Sequence, residues 1–192
     1  MLRITSGILK GQIIFQPKTS QTRPVSEQTR HAIFQVLGDI EGLSVLDLYA
    51  GSGALGFEAL SLGCKEATFV DIGIKAIEAI KSSAKSLGVD SKSKIIKSSD
   101  TNFLSNNTEK YNLIFFDPPY SKFEADTLEK TFDHIAETGI IITSCSAKTT
   151  LQEYDSIAEL VKQKNYGDTT IGYYRQIKKD PIKQTKDKMD PI

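Results

Sequence analysis

Val45-Leu46-Asp47-Leu48-Tyr49-Ala50-Gly51-Ser52-Gly53-Ala54-Leu55-Gly56 is the stretch from which the fold is read. The apolar run around Asp47 predicts a buried strand, and the glycines fall where the next helix must begin. Gly51 and Gly53 lack Cβ atoms, so they can take positive φ and let a ligand lie against bare backbone. The N–H groups of the first helical turn then face that ligand. Such a strand-turn-helix predicts a nucleotide site in an α/β protein, although a plain structural turn uses the same glycines. The spacing also fits the dinucleotide pattern G-x-G-x-x-G, which leaves the nucleotide open. Asp47, with three residues between it and Gly51, argues against a pyrophosphate. A carboxylate there repels phosphate and suits a ligand with an ammonium group, such as the methionine part of S-adenosylmethionine.

A second stretch, Asn112-Leu113-Ile114-Phe115-Phe116-Asp117-Pro118-Pro119-Tyr120, narrows the choice. Four consecutive apolar residues make a strand with no polar face, as in a sheet covered on both sides. The strand must stop at Asp117, because prolines cannot donate ladder hydrogen bonds. Each proline also pushes the residue before it towards extended backbone. A stiff segment thus holds one carboxylate, one carbonyl and one aromatic ring at the mouth of the sheet. Asp and Pro are common in turns, but two prolines set between a carboxylate and an aromatic after a buried strand are much rarer.

Together these stretches resemble the class I S-adenosylmethionine-dependent methyltransferases that act on exocyclic amino groups. Asp117-Pro118-Pro119-Tyr120 fits that branch's [D/N/S]-P-P-[Y/F/W] motif. With the N-terminal segment and the length, the chain is similar to the RsmD family of bacterial small-subunit rRNA methyltransferases, over roughly Arg3 to Ile177. The resemblance implies a Rossmann-like seven-stranded sheet with helices on both faces, extended by an N-terminal hairpin and helix. It implies S-adenosylmethionine as cofactor, S-adenosylhomocysteine as product and 16S rRNA as partner, within an assembling small subunit. The family target is N2 of guanine 966.

Composition agrees with a soluble α/β protein. The chain has 192 residues, 39% hydrophobic and 25% charged, within the range of one domain. No apolar run is long enough for a membrane span, and Met1 to Ile4 leads straight into strand-like sequence without a signal-like leader. Cys64 and Cys145 stand apart without metal-ligand spacing, as do His31 and His134. They predict reduced core thiols, no metal site, and a cytoplasmic monomer.

The expected organisation is an extension over 1–37, a methyltransferase core over 38–178 and a disordered tail over 179–192. In the extension, Arg3 to Phe15 alternates around Gly7 and Gly11 and predicts a hairpin. Ile33, Phe34 and Leu37 have helical spacing, with Ser26 as N-cap. Up to Leu37 the cations Arg3, Lys10, Lys18, Arg23 and Arg30 face Glu27 alone. Net charge is zero overall, so this block is where phosphate contacts are expected; a solvated hairpin with a packing helix is the plainer alternative. Arg3, Lys10, Arg23 and Arg30 are the RNA-binding candidates. Arg23-Pro24 and Arg30 match the family's helix entry, whereas Val25, His31 and Gln35 depart from it.

In the core, helices are expected over 54–62, 74–87 and 123–136, and strands over 67–71, 94–97 and 139–143. A closing hairpin is expected around Gly167-Asp168. Asp71 lies 20 positions after Gly51, where an acidic residue meets ribose hydroxyls. Gly73 stands where the family commonly has a further Asp. The resemblance places Asp100 at the adenine amino group, although an Asp before a short helix is equally an N-cap. Asp47, Tyr49, Gly51, Gly53, Asp71 and Asp100 are thus the cofactor candidates, and Asp117, Pro118, Pro119 and Tyr120 the catalytic ones. A DNA adenine-N6 methyltransferase shares the motif but normally adds a target-recognition region. A glutamine-N5 methyltransferase prefers Asn at Asp117, and a non-catalytic dinucleotide module leaves the two prolines unexplained.

Overall fold

The computed structural model describes residues 2–17, 25–119, 123–154 and 157–177. The chain opens with β1 (Leu2–Arg3), β2 (Ile13–Ile14) and α1 (Glu27–Leu37). It continues through β3 (Ser44–Leu48), α2 (Ala54–Ser61), β4 (Glu66–Asp71), α3 (Ile74–Leu87), β5 (Ser93–Lys97), α4 (Asp100–Asn106) and β6 (Tyr111–Phe116). α5 (Ala125–Thr131), β7 (Ile135–Ser146), β8 (Ala158–Tyr166) and β9 (Thr169–Gln176) complete it. β1 and β2 form a small antiparallel pair. The other seven strands make one sheet in the order β5-β4-β3-β6-β7-β9-β8. β5 through β7 run parallel, and β9 pairs antiparallel with β7 on one side and β8 on the other.

The order reverses between β3 and β6. From β3 the chain winds outwards through β4 to β5, then returns to place β6 on the other side of β3. The crevice at the carboxyl ends of these two strands is where ligands bind in open α/β sheets. Val45, Leu46 and Leu48 of β3 are buried, as are Leu113 to Phe116 of β6. One sheet face carries Val45, Phe69, Leu113 and Phe115 beneath Ile33, Phe34, Phe57, Leu60 and Ile80 of α1, α2 and α3. The other carries Leu46, Leu48, Ile114 and Phe116 beneath Phe103, Leu104, Leu128 and Phe132. Both faces are therefore covered, as the unbroken apolar run in β6 predicts.

The N-terminal hairpin packs on the first of these faces through Leu2, Ile4 and Ile14. α1 starts at Ser26, whose side chain accepts from the Thr29 N–H at 3.1 Å. A buried ion pair fastens this segment. Arg30 is 0% exposed, with Nε 3.6 Å from Glu58 Oε2 of α2. Its Nη1 donates to the Val25 carbonyl at 2.9 Å and its Nη2 to the Arg3 carbonyl at 2.7 Å. Glu58 also accepts from the Thr5 N–H at 3.0 Å and the Thr5 hydroxyl at 2.6 Å.

Two boundaries differ from the sequence expectation. The helix expected over 123–136 is shorter: α5 ends at Thr131, a 3-10 turn covers Phe132–His134, and Ile135 already pairs with Tyr111. The strand expected over 139–143 runs from Ile135 to Ser146. Its register shifts beside Tyr111 and Leu113, and at Gly139 a Cβ would lie 2.8 Å from the Asn112 carbonyl oxygen. Its far end is longer because β9 supplies ladder partners as far as Ser146. The expected tail beyond Ile177 lies outside the described residues. Among those residues no helix is long and apolar enough to cross a membrane.

Candidate active site

The turn after β3 is built by backbone that few residues adopt. Tyr49 has φ 65°, an uncommon state for a side chain of its size. The Ala50 N–H reaches the Val70 carbonyl at 3.0 Å, tying the turn to β4. Gly53 (φ 76°) leads into α2, and a Cβ there would come 2.8 Å from the Phe57 ring. Gly56 permits the closest approach. A Cβ on it would sit 2.3 Å from Phe69, so α2 rests directly on β4. Gly51 (φ 55°) is different, because among the described residues beyond its chain neighbours the space around its absent Cβ meets only the Tyr49 carbonyl oxygen, at 3.9 Å. That open backbone is where a ligand can lie.

Three carboxylates stand around this turn. Asp71, at the end of β4, accepts from the Gly51 N–H at 2.8 Å through Oδ2 and from the Gly73 N–H at 2.7 Å through Oδ1. One side chain thus fixes both loops of the crevice, and each oxygen retains a lone pair that can accept from a hydroxyl. Asp100 is the first residue of α4, but the helix is capped by Ser99, whose hydroxyl accepts from the Asn102 N–H at 3.2 Å. The capping alternative for Asp100 therefore falls away. Its Oδ2 instead accepts from the Tyr49 hydroxyl at 2.5 Å.

Asp47 differs from its expected part. It is 2% exposed, and Oδ2 accepts from the Gly56 N–H at 3.0 Å. Burial pushes its carboxyl well above the usual range, against the Gly56 hydrogen bond, and the charges of Asp117 and Asp71 push the same way. Instead of meeting an ammonium group, it holds the start of α2 against β3 from below.

Asp117 follows β6, with its own N–H 3.5 Å from the Leu48 carbonyl. Pro118 is buried and Pro119 half-buried, so the segment is held from both sides. Burial raises the Asp117 carboxyl to about 7. Its Oδ1 accepts from the hydroxyl of Ser144 on β7, a residue the sequence does not single out. Tyr120 lies outside the described residues.

The RNA-binding candidates fall in different surroundings. Lys10 and Arg3 are exposed, with Arg3 Nη1 donating to the Gly11 carbonyl at 2.6 Å. Arg23 lies outside the described residues. Arg30 is a correction: its guanidinium is sealed in the core against Glu58 and cannot meet a phosphate. A lone Glu58 in an otherwise apolar helix was the available sign of a buried partner. Cys64 and Cys145 are both buried, and burial lifts the Cys64 thiol to about 12. Among the described residues no group of three or more His, Cys, Asp or Glu is placed to hold a metal.

Residues 2–175 match the family model described as "Conserved hypothetical protein 95". The chain belongs to this family. Among its relatives, "Putative rRNA methyltransferase YlbH" of Bacillus subtilis is 30% identical over 182 residues, covering 91% of this chain and 99% of the relative. "Ribosomal RNA small subunit methyltransferase D" of Escherichia coli is 29% identical over 139 residues, covering 72% and 68%. A solved structure described as "Putative methyltransferase yhhF from Escherichia coli" superposes with a TM-score of 0.81 at 24% identity, covering 91% of this chain and 97% of that one. The fold of this family member is that of a class I methyltransferase.

Proposed function

We propose that this protein is an S-adenosylmethionine-dependent rRNA methyltransferase acting on N2 of a guanine in 16S rRNA, with guanine 966 as the family target. One observation carries the reading. An open glycine turn braced by Asp71 and a half-buried Asp117 stand at the ends of neighbouring strands, on either side of the sheet's reversal point. The names of the relatives support rRNA as the substrate class.

The residues fit the cofactor. Gly51 leaves room for its methionine part, Asp71 can accept from the ribose hydroxyls, and Asp100, oriented by Tyr49, can accept from the adenine amino group. Bound S-adenosylmethionine supplies an electrophilic methyl group on a sulfonium. The guanine amine is a poor nucleophile, because its lone pair is shared with the ring. Accepting one N–H by Asp117 and the other by the Pro118 carbonyl turns that lone pair towards the methyl carbon. The residues that hold S-adenosylmethionine would aim its methyl group at that lone pair, proximity and alignment would supply much of the acceleration, and Asp117 would be placed to take the proton that the methylated amine gives up. Positive charge growing on nitrogen is favoured by ionised Asp117 in a site of low dielectric. Tyr120 would stack on the base, worth about 1–3 kcal/mol in similar contacts, once the base has left its own stack. Arg3, Lys10 and Arg23 are the side chains assigned to RNA phosphates.

The test is single-turnover transfer to small-subunit RNA or particles, with the modified nucleoside identified by mass spectrometry. Asp117→Ala should transfer about 100-fold or more slowly with S-adenosylhomocysteine affinity nearly unchanged. Transfer at the normal rate would end the catalytic reading. N6-methyladenine as product would keep the mechanism and remove the guanine assignment.

A further inference from the structure

The sheet places a second side chain on the acceptor carboxylate. Phe116 pairs with Thr143 in the β6–β7 ladder, so Asp117 and Ser144 come next to each other one step further along. Ser144 is 4% exposed, and its hydroxyl donates to Asp117 Oδ1. On its other side Ser144 pairs through the backbone with Ile171 of β9, so its position is set by strands on both flanks. It is thus a fixed donor aimed at one oxygen of a carboxylate that stands at the end of a rigid strand.

The geometry points to Ser144 as a positioning residue for methyl transfer: it holds Asp117 Oδ1, fixes the rotation of the carboxylate, and leaves the other oxygen for the target amine. This rests on the reading of Asp117 as acceptor for that amine. A carboxylate with one oxygen already engaged cannot swing between rotamers, so its second oxygen meets the incoming N–H in one orientation. The bond also favours the charged form, because a hydrogen bond donated to an anion stabilises the anion over the neutral acid. The surroundings otherwise oppose ionisation. Burial does so, and the acidic groups nearby, Asp47 on β3 and Asp71 on β4, bring no positive charge to offset it. From α1 the uncharged ring of Phe34 packs edge-on to Phe115, two residues before Asp117. Among the described residues Ser144 is a donor placed to act against burial.

The experiment measures two quantities on the full-length protein. One is single-turnover methyl transfer from pH 5.5 to 8.5; the other is the titration of the Asp117 carboxyl carbon by NMR. Wild type, Ser144→Ala, Ser144→Thr and Asp117→Ala are compared. Ser144→Ala should move the Asp117 midpoint up by about one pH unit, and slow transfer about tenfold at pH 7 with partial recovery at pH 8.5. Ser144→Thr, which keeps the hydroxyl, should restore the midpoint, and S-adenosylhomocysteine affinity should match wild type in both. An unchanged midpoint and rate in Ser144→Ala, or a loss of cofactor affinity as large as the loss of rate, overturns the inference. Should the alanine variant not fold, Ser144→Cys supplies a weaker donor and is held to the same outcomes. Asp117→Ala separates the two levels. Normal transfer by that variant sinks the acceptor reading itself, whereas slow transfer by it with a normal Ser144→Ala sinks only the part given to Ser144.

Discussion

Replacing Arg30 by Ala should destabilise the fold by about 3–5 kcal/mol, the range for removing one partner of a buried ion pair. The magnitude follows from what is left behind. Glu58 keeps the Thr5 N–H and hydroxyl as donors but loses its countercharge in a site with no solvent. The Val25 and Arg3 carbonyls each lose a charged donor, at about 1–3 kcal/mol for a buried unsatisfied group. These costs overlap, because a cavity the size of Arg30 admits water or collapses, so they are not summed. Urea unfolding gives the number directly, with Arg3→Ala as an exposed control expected within about 1 kcal/mol of wild type. Arg30→Met combined with Glu58→Leu should recover most of the loss, since apolar replacements of a whole buried pair are often neutral or better. RNA binding supplies the opposing result. If Arg30→Ala folds with wild-type stability and lowers the log–log salt slope by about 0.7, the share of one phosphate on single-stranded RNA, the residue is a surface contact and the burial argument is wrong.

Other expectations concern the crevice. Asp71→Ala should weaken S-adenosylhomocysteine binding by about 1.5–3 kcal/mol in calorimetry, because the Gly51 and Gly73 N–H groups lose their shared acceptor along with the ribose contact. Gly56→Ala should cost about 1–3 kcal/mol from overpacking, and pairing it with Phe69→Leu should return part of that, since Phe69 is the group in the way. Transfer efficiency, as kcat/KM, should rise with pH up to about 7 and level off, because Asp117 accepts from the amine best when ionised. Stability should change in the opposite sense. The folded state holds the Asp117 proton more tightly than the ordinary carboxylate, so its contribution is full below the ordinary carboxylate value of 3.8 and is lost as pH rises through about 7. Asp117→Asn should flatten that trend in thermal unfolding measured across the window.

Local patterns carried much of this far, and long-range contacts set what they missed. Val45 to Gly56 and Asn112 to Pro119 each hold their information within a dozen residues, through apolar runs, glycines and prolines, so the two buried strands and the turns that end them could be anticipated. The helix Ile74–Leu87 was equally plain from its stripe of Ile77, Ile80, Ala84 and Leu87. Arg30 was misread because a cation's burial depends on Glu58, 28 positions away in sequence, and one-sided charge says nothing of where a helix turns its face. Asp47 read as a ligand contact for a similar reason, since its partner is the N–H of Gly56, which only the folded turn brings beneath it. Ser144 gave no signal at all. A serine between Thr143 and Cys145 looks like strand filler until the parallel ladder sets it against Asp117.

The strand order also sets a timetable for the chain as it is made. β3, β4, β5, β6 and β7 leave the ribosome before the two antiparallel strands of the same sheet, β8 and β9, and can pair among themselves. β7, however, carries Ile140-Ile141-Ile142 along an edge whose ladder partner, β9, is the last strand to emerge. β8 comes earlier but sits at the outer margin, on the far side of β9, so it cannot cover that edge alone. Until Thr169–Gln176 is synthesised, the growing protein presents an apolar strand with open N–H and carbonyl groups, the kind of surface that recruits other chains. A nascent chain stalled in the β8–β9 turn is the species most prone to aggregate, more so than one stalled after β6, and chaperone contact during synthesis should be concentrated in that short window.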